Sequence, residues 1–173
     1  LRASDDQLVA ELDFINDALI RDEPTYLAAS RAGRGFALRA AERSQVWSLS
    51  RAVEGSLRRA GLLSWSALPR EICMAAERKE DLALQRYRYV LVDEAQFFAP
   101  SWFELVKLSL TENAQLFLCA DPKQGFLKNR LSWKSAGLDV SGRTKRLRRS
   151  YRTTRAILEA ATAMLALAAG IAV

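Results

Sequence analysis

Apolar residues in the first third of the chain recur at helical spacing. Leu8, Leu12, Ile15 and Leu19 follow at steps of four, three and four, behind a Ser4 and Gln7 pair with capping-box spacing. This predicts an amphipathic helix ending near Arg21. Asp22 can cap a second, short helix with Pro24 in its first turn. Arg31-Ala32-Gly33-Arg34-Gly35 then breaks the period. Its glycines allow a tight turn beside a phosphate, but a plain loop between helices is the more common use of such residues. From Glu42 the period returns through Val46, Leu49, Val53 and Leu57, with Trp47 read as core and Gly61 as the stop. Ser64 can cap a further helix carrying Trp65, Leu68, Ile72 and Ala76, with Pro69 just past its first turn. Residues 77–88 are mostly charged and read as a surface connection.

The pattern then changes. Tyr89-Val90-Leu91-Val92 is an unbroken apolar run, the signature of a strand covered on both faces in a parallel sheet. It stops at Asp93-Glu94, so two carboxylates sit at its carboxyl end. Open α/β sheets place their ligands there, and unpaired acids do not belong in a core. Asp93 could hold a magnesium ion while Glu94 polarises a water that attacks a phosphate. An exposed strand end running into a turn fits the same residues. A helix from Ser101 with Trp102, Leu105, Val106 and Leu108 follows, then a second apolar run, Leu116 to Ala120. That run also ends in an acid, Asp121. A strand-helix-strand unit of this length makes the two strands parallel neighbours, with both acidic ends on one edge of the sheet. The repetition favours the phosphate-site reading. Farther on, a polar stretch from Lys128 to Gly142 leads into the basic run from Arg143 to Arg152. A final helix starts at Thr153 or Thr154 and carries Ile157, Leu158, Ala161 and Leu165.

Composition narrows the chemistry. The 173 residues are 50% hydrophobic and 27% charged, enough for an ordinary folded domain with a real core. There is no histidine, which removes histidine-based triads and most zinc sites. The two cysteines, Cys73 and Cys119, make no disulfide framework, and Cys119 reads as a small buried residue. A net charge of +6 is compatible with a polyanionic partner. No signal peptide is visible, and the apolar C-terminal stretch is too short to span a bilayer. The expected location is the cytoplasm. The first residue is not Met, and the chain reads as an internal piece of something longer.

Three segments now line up in the order of a known family. Val90-Leu91-Val92-Asp93-Glu94-Ala95-Gln96 resembles motif II, a Walker B strand, of the UvrD/Rep-type superfamily 1 DNA helicases. Ala120-Asp121-Pro122-Lys123-Gln124 resembles motif III, and Leu147-Arg148-Arg149-Ser150-Tyr151-Arg152 resembles motif IV. The resemblance covers roughly residues 86–160. It implies an α/β fold: a helix-rich, partial RecA-like P-loop NTPase lobe with a helical inserted region. Residues 1–85 would belong to the first motor lobe and its insertion, 86–142 to the RecA-like core, and 143–173 to the start of a second lobe. It further implies ATP and Mg2+ as cofactors, with Asp93 the metal ligand and Glu94 the general base. Gln124 would sense the γ-phosphate and Asp121 would line the nucleotide site. Tyr151 would stack on adenine, and Arg152 would be the arginine finger. The implied partner is single-stranded or partly duplex DNA, with Phe126 and Trp133 as candidates for base stacking or ordinary packing.

The departures set the rival reading. Ala120 stands where the family has Gly, and Ser150 where it has Asn. No Gly-x-x-x-x-Gly-Lys-Ser/Thr loop occurs, so the amides and lysine that hold the β- and γ-phosphates are missing. The chain is therefore expected to be a helicase fragment that is inactive alone. The alternative is a non-catalytic, helicase-derived module that binds nucleic acid or protein through its basic run. Exposed sheet edges and the apolar terminal helix are where such a fragment would self-associate.

Overall fold

A computed structural model describes residues 2–31, 34–121, 136–147 and 151–168. The elements run α1 (Asp5–Asp17), α2 (Glu23–Ala28), α3 (Ala40–Arg59), α4 (Ala67–Glu77), β1 (Tyr87–Val92), a 3-10 turn (Ala95–Phe97), α5 (Pro100–Leu108), β2 (Leu110–Leu118) and α6 (Arg155–Ala168). The chain divides into two compact units, residues 1–138 and 139–173. The first holds a helix-rich part and a small parallel sheet, compatible with an α/β fold.

The helix ends follow their local chemistry. Ser4 and Gln7 close the capping box on α1 in both directions (3.3 and 3.0 Å). Asp22 accepts the Thr25 N–H (2.8 Å) at the start of α2. α1 is shorter than its apolar period: it ends at Asp17, and Leu19 turns left-handed at φ 53°. Gly61 ends α3 at φ +69°, where its N–H reaches Arg58 O and the Leu62 N–H reaches Leu57 O. α4 begins at Ala67, whose N–H donates to Ser64 Oγ (3.3 Å). Trp65 lies outside that helix and is 74% exposed.

Two apolar clusters form the interior of this unit. In the helical one, Ile15, Ile20, Tyr26 and Val46 are buried, with Leu8, Leu12, Phe14 and Trp47 packed around them. Trp47 stacks on Tyr26 at 6.0 Å. A buried polar chain ties three helices together: Arg70 of α4 donates to Glu54 of α3 (2.8 Å) and Asn16 of α1 (3.3 Å). In the second cluster Val92, Ala95, Phe103 and Ala136 are buried against Val90, Val106, Leu116 and Leu118. Contacts of α5 with α4 and α1 join the two.

β1 and β2 are hydrogen-bonded and parallel, with Val90 opposite Leu116 and Val92 opposite Leu118. The expected crossover unit is present. β2 starts earlier than its apolar run, at Leu110, and the register shifts between Tyr87 and Tyr89. The expectation of a strand covered on both faces is not met. Val90, Val92, Leu116 and Leu118 face α5, while Tyr89 (58%), Leu91 (75%) and Phe117 (60%) are exposed on the other face. Strand alternation explains this, since one helix covers only one side of two strands. The same alternation overturns the reading of Cys119, which continues the outward series from Phe117 and is exposed. Cys73 is buried.

Among the described residues, no helix is long and apolar enough to cross a membrane. In the second unit Thr154 opens α6, accepting the Ile157 N–H on its hydroxyl (3.5 Å) and the Leu158 N–H on its carbonyl (3.1 Å). That is the expected start.

Candidate functional site

The loop from Arg31 to Gly35 was open between a phosphate turn and a plain connection. Its described arginines are committed elsewhere. Glu11 of α1 is fully buried and pairs with Arg31, with Arg34 (3.1 Å) and with the Tyr26 hydroxyl (2.7 Å). The Arg31 guanidinium lies over Phe36 and that of Arg34 over Phe14, at 4.9 and 4.7 Å. Burial and the Glu11 carboxylate push the Tyr26 phenol well above its usual range. The loop is held by a buried carboxylate, which is the ordinary interhelix connection. Gly33 lies outside the described residues.

Three of the expected site residues, Asp93, Glu94 and Asp121, lie at the carboxyl end of the sheet. Beyond the strands proper, the ladder continues for one more step: Cys119 N–H donates to Val92 O, and Ala95 N–H to Cys119 O, both at 2.8 Å. Between those bonds the chain bends. Asp93 accepts the Glu94 N–H on Oδ1 (2.9 Å). Glu94 itself is left-handed, at φ 53° and ψ 37°. This region costs an L-residue with a Cβ roughly 1–2 kcal/mol. The 3-10 turn after it carries Gln96 back over the strand ends. Both acids are exposed, whereas Gln96 and Asp121 are half-buried.

Gln96 joins the two strand ends. Its Oε1 accepts the Asp121 N–H (3.0 Å), and its Nε2 donates to Glu94 Oε2. The amide orientation follows from the partners, since a backbone N–H only donates and a carboxylate only accepts. So Asp93, Glu94 and the Asp121 backbone lie together at one sheet edge. Sequence reading passed over Gln96, which entered it only as the last letter of a motif. The available signal was an amide side chain two residues beyond a strand-terminal acid.

Other expected site residues fall elsewhere. Gln124, Phe126 and Trp133 lie outside the described residues. Tyr151 and Arg152 are exposed in the bend before α6, in the second unit, with Tyr151 86% exposed. Ala120, in the place of a glycine, is not among the residues with positive φ. Among the described residues no cluster of three or more His, Cys, Asp or Glu forms a ready-made metal cage. Asp93 nevertheless suits magnesium. It offers hard oxygen at an exposed position, and this ion is commonly held by one or two carboxylates, with waters and substrate phosphates completing the shell.

The chain matches a family model, the UvrD/REP helicase N-terminal domain, over residues 18–136. That span takes in α2 to α5 and both acid-tipped strands, and begins just after α1. Neither curated proteins nor solved structures supply a match.

Proposed function

This chain belongs to the UvrD/REP helicase N-terminal domain family, and from that premise we propose that it is part of an ATP-dependent DNA helicase that moves on single strands. The observation that carries the reading is the pair of acid-tipped parallel strands, with Glu94 and the Asp121 backbone joined through Gln96. Residues 86–142 are read as the RecA-like core and 143–173 as the start of the second motor lobe.

In this reading Asp93 holds magnesium, which neutralises charge on the phosphates. Glu94 accepts the proton of the attacking water. Its exposed carboxylate stands at the open end of the sheet, where a water can reach it. Gln124 senses the γ-phosphate and Asp121 lines the same site. Tyr151 stacks on adenine and Arg152 supplies the always-charged planar donor for the transferring phosphoryl group. The chain carries no Walker A sequence. Alone it binds nucleotide weakly and does not hydrolyse it.

Two assays test this. In the full-length protein Glu94→Gln abolishes ATP turnover and spares ATP binding; surviving turnover overturns the assignment of the base. The purified 173-residue chain is expected to show no Mg2+-dependent ATPase activity; clear activity overturns the claim that it is inactive alone. If the full-length protein neither binds nor hydrolyses ATP while the chain binds DNA in a salt-dependent way, the non-catalytic module is the right reading. The basic run from Arg143 to Arg152 is the feature that favours it.

A further inference from the structure

Glu94 carries the base assignment, yet nothing in its own backbone fixes its carboxylate. A left-handed residue at a strand end, exposed to solvent, has many rotamers open to it. The hydrogen bond from Gln96 Nε2 removes that freedom. Gln96 is in turn held by the N–H of Asp121, the residue that ends the neighbouring strand segment. We propose that Gln96 is a positioning residue: it aims the Glu94 carboxylate and makes that aim depend on the placement of the Asp121 strand end. The proposal rests on Glu94 being the base.

The side-chain chemistry is demanding. One group must accept from a backbone N–H on one strand end and donate to a carboxylate on the other. Among side chains of this length only a primary amide does both without charge. Methionine at position 96 fills the same space and does neither. Glutamate keeps the acceptor for the Asp121 N–H but sets a second carboxylate against Glu94. The two variants therefore separate bridging the strands from aiming the base.

The test uses the full-length protein and three measurements: steady-state ATP hydrolysis, nucleotide affinity, and amide hydrogen exchange at Asp121. Loss of a hydrogen bond to a charged group predicts a kcat lower by about 10- to 100-fold in Gln96→Met, with KM for ATP and nucleotide affinity within about twofold of the parent. Asp121 exchange speeds up in that variant. In Gln96→Glu the Asp121 amide stays protected while kcat falls at least as far. A residue that only ties the strands together gives the opposite: Gln96→Glu restores parental kcat along with the slow exchange, and the proposal is then wrong. It is equally wrong if Gln96→Met keeps parental kcat. The underlying reading is scored separately by Glu94→Gln. If that variant is dead and the Gln96 variants are active, only the role of Gln96 fails. If Glu94→Gln turns over, the base assignment fails first.

Discussion

Removing the Glu11 carboxylate tests how the helical part is held together. Glu11 is wholly buried and accepts from the Tyr26 hydroxyl, from Arg31 and from both Nε and Nη2 of Arg34 (3.2 and 3.1 Å). The two arginine side chains are only 13% and 14% exposed. Glu11→Ala would leave two guanidinium groups with little water and without the carboxylate they pair with, and one phenol without its acceptor. Breaking a buried pair by deleting one partner costs about 3–5 kcal/mol. That is a large share of the roughly 5–15 kcal/mol that keeps an ordinary domain folded. With a urea dependence of about 1–3 kcal/mol per molar, the midpoint should fall by about 2 M. Urea unfolding followed by far-UV circular dichroism reads this directly. The double variant Glu11→Ala/Arg34→Ala should recover part of the loss, because it also removes an orphaned charge. A midpoint shift under about 0.3 M for Glu11→Ala would refute the reasoning. The cluster would then be solvated, and Arg31 and Arg34 would not be committed to Glu11.

The remaining predictions concern the ends of two helices. Burial, with Asp13 nearby and Arg34 opposing, pushes the Asp17 carboxyl up from 3.8 to about 6. It also sits at the C-terminus of α1, where the helix dipole disfavours an anion. A raised acid binds its proton more tightly when folded, so its penalty is absent below about pH 4 and complete above about pH 6. Asp17→Asn should therefore stabilise the chain at pH 7.5 by about 1–2 kcal/mol, discounted for partial exposure, and do nothing at pH 4; thermal melts at both pH values check it. Gly61→Ala should cost about 1 kcal/mol by urea titration, purely from the backbone, because a Cβ there meets nothing within 4 Å.

Much of the local structure was legible because it is written in short-range chemistry. The Ser4 and Gln7 pair, Asp22, Gly61 and Thr154 all act within a few residues of themselves, and each sits at the helix end expected of it. The two parallel strands were also readable, since an apolar run ending in an acid recurs on either side of a helix. What could not be read depends on partners distant in sequence. Nothing near Leu91 or Cys119 says that only one face of the sheet is covered; that follows from α5 packing on the Val90 and Val92 side. Likewise the glycines of the loop leave a phosphate turn open until α1 brings Glu11 beneath Arg31 and Arg34. Gln96 was hidden for the same reason: its partner Asp121 lies just beyond the end of the next strand.

The left-handed backbone of Glu94 has an evolutionary consequence. Glycine would sit there without strain, and asparagine with little. Glutamate holds the position at a backbone cost glycine would not carry, as Leu19 also does at φ 53°, and the role proposed for Glu94 as the base gives a reason to keep it there. Where a lineage has lost the chemistry, that pressure disappears and drift should run in one direction. Position 94 should relax to glycine or asparagine, while Val90 and Val92, which fill the interior, stay apolar. A set of descendants showing that asymmetry would record the loss of catalysis in a single backbone angle.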